Sequence, residues 1–516
     1  MEPTDYLTKD FHKGRREALR KLMPDNSVMF VFAYPERVFS RDVNYVYHEN
    51  PDLYYYSGYN EPNAVLLIFK EMQHDATGSY DEIFFVQKRD SANEIFTGKR
   101  LGIDGTRSKL GFDKVYLGDD FDSLCPDLSK LNVIFSGALD GIPYDNDPGN
   151  LYTLYQVLQK KAKVSPEDFR GVKADLDIIA KYAQFRYLED YVQYFQLRAK
   201  ARKDDSYKNN EFIQQLINHP DSTSFEAIKK KINPSQTKSA PDIYYELTCT
   251  MREIKTQEEL ALLRKAVFIS SIAHAEVMKA INANMSEREL EGIFLYVHKK
   301  YGAEEEGYGA IVGSGANGCT LHYEDNSVTN MQGQMVVMDV AAEYHGYSAD
   351  VTRSVPATGK YSPEEKAIYK IVYDAQEEIF KLCKEGTPFD SLDSKAKQVL
   401  AAGLIKLGLI SKASDVGIYY PHGCSHHMGL DVHDKSNYGP LRENMVITVE
   451  PGIYIPAGSK CDKKWWNIGV RIEDDVVIGK NSYELLSKDA PRKWEDVEKM
   501  TAQKSLFNDF ALPAMK

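Results

Sequence analysis

Two aspartates lie in one apolar stretch of the sequence, Met335–Thr352, which reads MVVMDVAAEYHGYSADVT. If the chain reverses between Tyr344 and His345, then Asp339 and Asp350 face each other across an antiparallel hairpin, with Cβ atoms about 4.5–5.5 Å apart. Two carboxylates that face each other on a half-buried sheet repel and lose hydration, so they need a shared proton or a cation. The sequence favours a metal, because further histidines and glutamates follow in similarly apolar surroundings.

Histidines are concentrated in one short segment downstream. The chain has 12 histidines in 516 residues, yet four of them fall in this segment: His422, His426, His427 and His433. A lone histidine is typical of a satisfied structural position. Several histidines beside glycines instead favour metal ligands or acid–base groups.

Two glutamates belong to strand-like runs near the C-terminal end. Val446–Glu450 (VITVE) predicts a strand, and the proline and glycine that follow hold Glu450 at a defined strand end. Gly469–Ile478 (GVRIEDDVVI) predicts one alternating strand in which Arg471 and Glu473 share a face. Alone, such a pair is typical of a surface ion pair. Beside the other carboxylates, Glu473 is predicted to be a metal ligand that Arg471 orients.

These candidates form an oxygen-rich ligand set of four carboxylates and one imidazole: Asp339, Asp350, one histidine, Glu450 and Glu473. Such a set suits Mn²⁺, Co²⁺ or Fe²⁺ better than a structural zinc. It carries enough charge for two divalent ions about 3.5–4 Å apart that share a carboxylate and a water. The sequence therefore predicts a site that holds divalent metal ions.

Length, charge and cysteine usage exclude several classes of protein. A chain of 516 residues predicts two domains, and 43% hydrophobic with 27% charged residues is typical of a soluble globular protein. The net charge of −12 argues against nucleic-acid binding, and no apolar run is long enough for a membrane span. The N-terminus lacks a secretory signal, and six scattered cysteines indicate reduced thiols, so we expect a cytoplasmic protein.

Hydrophobic periodicity divides the chain into two halves of different character. The first half predicts strands at Ser27–Ala33, Asn63–Lys70, Glu82–Lys88 and Val133–Ser136, followed by a charged helical elaboration near residues 151–235. The second half predicts helices at Thr256–Ile281, Ser286–Tyr301, Pro363–Lys384 and Ser391–Leu407. We expect domains at residues 1–245 and 246–490 and a tail at 491–516. The tyrosine-rich segment 42–62 is interpreted as a domain face or subunit contact.

The ordered motifs of the second half resemble the metallopeptidases of family M24, and within them aminopeptidase P, the Xaa-Pro aminopeptidases. The matching stretches are IVGSGANGCTLHYEDN, MDVAAEYHGYSADVTRSVP, HGCSHHMGLDVHD, TVEPGIYI and GVRIEDD, with NPDLYYYSGYNEPNAVLLIF and EIFTGKRLG in the first half. The resemblance implies an α+β chain with an N-terminal α/β creatinase-like domain. It also implies a C-terminal pita-bread domain, in which helices flank a curved antiparallel sheet.

The resemblance also implies residue roles. It gives five metal ligands, with Asp350 and Glu473 as bridges and Glu450 also as a proton shuttle: Asp339, Asp350, His426, Glu450 and Glu473. It places further groups near the substrate or the metal ligands: His322, His422, His433, Tyr454 and Arg471. His427 matches no family role and is expected to be structural. The implied cofactor is a pair of divalent ions, with Mn²⁺ first and Co²⁺, Fe²⁺ or Zn²⁺ as alternatives.

The implied activity is hydrolysis of the bond between an N-terminal residue and a penultimate proline, with a metal-bridging hydroxide as the nucleophile. The implied partners are peptides that begin Xaa-Pro and further copies of the chain, as a dimer or tetramer. LHYEDN resembles aminopeptidase P more than prolidase, but a prolidase acting on Xaa-Pro dipeptides stays open, as does a non-catalytic or metal-free member of the fold. Phe96 stands where some relatives carry a tryptophan that reaches a neighbouring subunit.

Overall fold

The computed structural model of the chain describes residues 5–136, 144–163, 172, 175–176, 199–218, 230 and 239–509. The chain divides into two compact units, Met1–Met251 and Arg252–Lys516. The sequence analysis placed this division after residue 245. The predicted helical elaboration near 151–235 is described only at residues 151–163, 172, 175–176, 199–218 and 230. The predicted tail is described as far as residue 509. Among the described helices, none combines the length and apolar character that a membrane crossing requires.

The first unit is built on a five-stranded mixed sheet with strand order β6-β5-β4-β1-β7 and carries a separate β2–β3 hairpin. Its strands are β1 Ser27–Phe32, β2 Val38–Ser40, β3 Val43–Asn44, β4 Val65–Asp75, β5 Gly78–Val86, β6 Val115–Leu117 and β7 Asn132–Phe135. Its described helices are α1 Lys9–Leu22, α2 Pro51–Ser57, α3 Glu94–Thr97, α4 Gly102–Leu110, α5 Phe121–Leu124, α6 Leu151–Ala162, α7 Asp205–Lys208, α8 Glu211–Asn218 and α9 Ala240–Arg252, whose final residue opens the second unit.

The tyrosine-rich segment contributes a buried helix, α2, to this unit, and its interpretation as a domain face or subunit contact stays a prediction. Asn50 caps that helix and Pro51 begins it, and every residue of the helix is buried. The hydroxyl of Tyr55 donates to the carbonyl of Met251 at 2.7 Å. The tyrosines therefore serve the core, because their rings pack and their hydroxyls find internal acceptors.

In the second unit, each half begins with two helices, and capping motifs mark the starts of three of them. The helices are α10 Gln257–Ala280, α11 Glu287–Tyr301, α12 Pro363–Phe380, α13 Asp390–Lys406 and α14 Trp494–Thr501. Capping boxes begin α10, α11 and α12, with Thr256, Ser286 and Ser362 as the N-cap residues. Each box satisfies two backbone N–H donors at the helix start, and the sequence pattern places these starts correctly. Short 3-10 helices lie at Gly118–Asp120, Asn317–Cys319, Ala413–Ile418, Lys463–Trp465 and Leu506–Asp509.

The strands of the second unit repeat one arrangement twice. They are β8 Glu305–Glu306, β9 Ile311–Ser314, β10 Met335–Asp339, β11 Ala342–Tyr344, β12 Tyr347–Ser348, β13 Thr352–Pro356, β14 Val446–Val449, β15 Gly452–Ile455, β16 Ile468–Arg471, β17 Asp474–Ile478 and β18 Tyr483–Leu485. In the first half, helices α10 and α11 precede the antiparallel pair β10–β13. In the second half, helices α12 and α13 precede the antiparallel pair β14–β17.

The predicted register of the aspartate hairpin was wrong. Asp339 pairs with Thr352, not with Asp350, because the turn residues are His345 and Gly346. Their φ angles are 51° and 82°, the left-handed values that a two-residue turn demands at both positions. Glycine meets that demand without strain, so the turn centres there and not one residue earlier.

The predicted single strand Gly469–Ile478 is divided in two. β16 ends at Arg471 and pairs with β15, whereas β17 begins at Asp474 and pairs with β14. Between them, the backbone N–H of Glu473 donates to the carbonyl of Thr352 at 3.1 Å. The break therefore joins the two halves of the unit at a predicted ligand.

Candidate metal centre

Asp339 and Asp350 meet although they do not pair across the hairpin. Asp339 ends β10, and Asp350 lies in the break between β12 and β13. The hydroxyl of Tyr308 lies within hydrogen-bonding distance of Oδ1 of Asp339 and, at 2.8 Å, of Oδ1 of Asp350, so its one proton is shared between them. One hydroxyl thus contacts both buried carboxylates.

His426 directs one ring nitrogen at the carboxylates. Its Nδ1 lies 3.0 Å from the carbonyl of His427, which can only accept, so Nδ1 carries the proton. Nε2 lies 3.3 Å from Oδ2 of Asp350 and 3.6 Å from Oε1 of Glu450. A backbone acceptor that fixes the tautomer in this way is typical of histidines that bind metals.

The two predicted glutamates complete the cluster from the second half of the unit. Glu450 directly follows β14, and Glu473 lies between β16 and β17. Asp350, His426 and Glu473 can each place one ligand atom within 4.8 Å of the others. The structure therefore brings all five predicted ligands into one small site.

Arg471 is the cation that contacts this cluster directly within the described part of the chain. Its Nη2 donates to Oδ2 of Asp339 at 2.6 Å, and its Nε donates to the Thr352 hydroxyl at 3.1 Å. That hydroxyl donates in turn to Oε2 of Glu473 at 2.6 Å. Four carboxylates gather here against one guanidinium, and the excess negative charge is what divalent ions would neutralise.

The pKa values of the ligand side chains are shifted as expected for a site with too little positive charge. Burial raises the pKa of Glu450 to about 8, and burial and then the neighbouring carboxylates raise the pKa of Glu473 well above its ordinary value. Burial alone would lower the pKa of His426, but Asp350 and Glu450 raise it to about 9. The residues present therefore fit a pair of cations, because cations relieve the repulsion that these shifts record.

Two of the other predicted histidines line the site, and the third is an exposed residue near them. Nε2 of His422 lies 2.9 Å from the Tyr454 hydroxyl, which also accepts from Nη1 of Arg471 at 3.0 Å. The ring centroid of His433 lies 4.2 Å from that of His426. His322 is exposed, and its charge lowers the pKa of both His422 and His433, so it lies near them.

His427 lies outside the cluster. Its ring is fully buried and stacks on Phe389 with centroids 5.3 Å apart. Burial, and then the charge of Lys255, lower the pKa of His427 to about 3, so the ring is neutral. This packing agrees with the structural role expected from the sequence.

Several residues of the site carried no sequence signal. Tyr308 is a single tyrosine in a loop, and Thr352 is one threonine in an apolar strand. Asp475 accepts the backbone N–H of Asp350 at 3.1 Å, and it reads as one more acidic residue of the run that follows Glu473. Only tertiary pairing places these side chains beside the ligands.

Comparison with known protein families covers both units. Residues 261–480 match the model of metallopeptidase family M24, and residues 12–135 match that of the aminopeptidase P N-terminal domain. The Xaa-Pro aminopeptidase of Escherichia coli (strain K12) is 31% identical over 505 residues, which cover 95% of this chain and 97% of that protein.

Solved structures agree with this match. Aminopeptidase P from Escherichia coli with the inhibitor Pro-Leu superposes with a TM-score of 0.73 at 28% identity, covering 96% of this chain and 98% of that one. Its zinc-substituted form in complex with product has a TM-score of 0.71 over the same shares of the two chains at 28% identity. The predicted α+β organisation with a pita-bread domain is thereby confirmed. The sequence, the fold and the gathered ligand set agree, and the chain belongs to the Xaa-Pro aminopeptidases, the aminopeptidase P group of metallopeptidase family M24.

Proposed function

We propose that the chain releases an N-terminal residue from peptides whose second residue is proline, using two divalent cations. The observation that supports this most directly is the convergence of Asp339, Asp350, His426, Glu450 and Glu473 on one buried site. Asp350 and Glu473 would hold the cations together with the other three residues. Mn²⁺ is the first choice because the donors are mainly carboxylate oxygens, and Co²⁺, Fe²⁺ and Zn²⁺ remain alternatives.

The chain's own groups account for the proton movements and the orientation of the substrate. When bound, the cations supply Lewis acidity and lower the pKa of water. Glu450 takes the proton from the attacking water and delivers it to the proline nitrogen that leaves. His433 or His322 donates to the oxygen on which negative charge develops. His422, through Tyr454 and Arg471, holds Asp339 in place.

Metal binding should release protons near neutral pH. Glu450, with a pKa near 8, is mostly protonated at pH 7 in the metal-free chain, and a carboxyl must lose its proton to bind a cation. The apparent affinity for Mn²⁺ should therefore rise as the pH increases from 6 to 8. Calorimetry in two buffers of different ionisation enthalpy measures the protons released. An affinity that does not change over this range would contradict the assignment of Glu450 as a ligand.

A peptide panel tests the activity. Metal-supplemented protein should cleave Xaa-Pro-Yaa peptides, while alanine in the second position should reduce kcat/KM by at least about tenfold, the effect of about 1.4 kcal/mol. The panel should also include Xaa-Pro dipeptides. Exclusive cleavage of dipeptides would assign a prolidase instead, and no cleavage of any peptide would contradict both.

We propose further that the chain works as a homo-oligomer in the cytoplasm. Phe96 is 87% exposed on the short helix α3, and Phe39, Tyr45 and Val46 on or beside the β2–β3 hairpin are also largely exposed. Exposed apolar side chains of this kind favour a contact with another copy. Light scattering of the purified protein measures the assembly.

The six cysteines are all free thiols, which is typical of a reducing compartment such as the cytoplasm.

A further inference from the structure

Two buried polar side chains contact the backbone beside the candidate ligands, one from the first helix of each half of the second unit. His274 lies on α10 and Gln376 lies on α12, and both are fully buried. Neither residue contacts the ligand side chains described above. Their contacts with backbone carbonyls follow one pattern in the two halves.

His274 connects the two strands of the first half. Its Nε2 lies 3.1 Å from the carbonyl oxygen of Val340 and 2.9 Å from that of Val351. Val340 and Val351 directly follow Asp339 and Asp350. Both oxygens can only accept, so Nε2 carries the proton and donates to the pair. The ring packs edge-on against Phe294 with centroids 4.7 Å apart, which holds it in this orientation.

Gln376 makes the corresponding connection in the second half. Its amide Nε2 donates to the carbonyl oxygens of Val449 at 3.0 Å and Ile472 at 3.1 Å. Val449 and Ile472 directly precede Glu450 and Glu473. The same nitrogen contacts Oδ2 of Asp474 at 2.8 Å, and Oε1 accepts from Arg492, so the amide has a fixed orientation.

Beyond the strand ladders, single backbone bonds also contact these positions. The N–H of Val340 donates to the carbonyl of Val351 at 3.3 Å, and the N–H of Glu473 donates to that of Thr352 at 3.1 Å. The β10–β13 ladder ends at the pair Asp339 and Thr352, and the β14–β17 ladder ends at the pair Val449 and Asp474. Asp350, Glu450 and Glu473 therefore lie beyond the last ladder pairs. In each half, one helical donor joins two backbone positions that adjoin two carboxylates.

We propose that His274 and Gln376 are paired positioning residues for the metal centre, each setting the separation of two carboxylates through the backbone beside them. The proposal rests on the proposed metal-dependent function. Neither residue touches a cation or substrate in it. Groups that orient metal ligands from behind commonly change metal affinity by about 10–100-fold when they are removed.

Substitutions can remove the donors while keeping the buried volume. His274→Met and Gln376→Met remove the N–H groups, whereas His274→Gln and Gln376→His keep a donor in place. His298→Met is the matched control for histidine loss, because His298 is buried on α11 and its ring nitrogens bond to none of the described residues. Ile379→Val is the control on α12, since that apolar side chain is fully buried on the same helix.

The readouts are Mn²⁺ affinity by calorimetry and the change in Tm when Mn²⁺ is added to the full chain. The two methionine variants should bind Mn²⁺ about 10–100-fold more weakly and show a smaller metal-induced rise in Tm. The variants that keep a donor should recover most of the affinity. The two controls should lower Tm with and without Mn²⁺ alike and leave the affinity unchanged.

The results separate this proposal from the function on which it rests. Methionine variants that lose Tm but bind Mn²⁺ as tightly as the wild type would overturn the positioning role and leave the metal centre standing. A wild-type chain that binds no Mn²⁺, Co²⁺, Fe²⁺ or Zn²⁺ would overturn the metal centre and the positioning role together. The two results can be told apart, because metal binding by the wild-type chain is measured before any variant is made.

Discussion

Replacing Glu473 by alanine should remove bound metal and activity together. Glu473 would be one of the ligands of the proposed centre, and it can place a ligand atom within 4.8 Å of ligand atoms of Asp350 and His426. Loss of one ligand should leave fewer than two Mn²⁺ per chain. If the cations lower the activation barrier by about 4 kcal/mol, their loss should slow peptide hydrolysis by about 10³-fold. Elemental analysis of the dialysed protein and initial rates on an Xaa-Pro-Yaa peptide measure the two effects.

Stability provides the control for this variant. Removing a crowded carboxylate relieves repulsion, so metal-free Glu473→Ala should be at least as stable as the metal-free wild type. Glu484→Ala removes an exposed carboxylate that pairs with Arg264 on the surface, and it should retain full metal content and rate. Turnover near the wild-type rate by metal-stripped Glu473→Ala would refute the assignment.

Replacing Glu450 by glutamine should reduce turnover much more than metal content. The amide keeps an oxygen where the carboxylate stood but cannot carry the proton to the leaving nitrogen. General acid–base groups contribute about 10²–10⁴-fold, so kcat should fall by that factor with little change in KM. Steady-state kinetics at saturating Mn²⁺, together with metal analysis of the same sample, measure the two quantities.

Glu443→Gln is the matched control for that experiment, because Glu443 is exposed and precedes the same strand. It should behave as the wild type. If Glu450→Gln loses its metal as completely as Glu473→Ala, then Glu450 acts mainly as a ligand and the proposed proton transfer is wrong. The two glutamates should thus give different signatures, one in metal content and one in kcat.

Much of this site could be predicted from the sequence because its ligands lie at the ends of strongly patterned elements. Glu450 ends an apolar strand before a proline, and the starts of α10, α11 and α12 follow their capping boxes. Five motifs in one order identified the family, and the comparisons confirm that identification.

The errors have local physical causes. The hairpin turn was placed one residue early because Tyr344 and His345 were weighed above Gly346, the residue that suits a positive φ. Gly469–Ile478 alternates like one strand, but its halves pair with different partners.

Some residues were missed because their contacts join distant parts of the chain. Tyr308 reaches Asp339 and Asp350 because β8 pairs with β11, a long-range contact that no periodicity reports. Arg471 and Asp339 were both predicted, but their ion pair was not, because the two residues are 132 positions apart in the sequence and meet only in the assembled sheets. Propensity and spacing describe elements, whereas contacts of this kind follow from tertiary packing.

The bonds between Glu473 and Thr352 place the proposed metal centre between two structural repeats. Each repeat contributes two acidic side chains, so neither repeat alone has enough ligands for two cations. Correct docking of the repeats is therefore a precondition for holding the ions, and the bound ions in turn fasten the repeats together. Metal occupancy of this enzyme thus reports on the assembly of its interior.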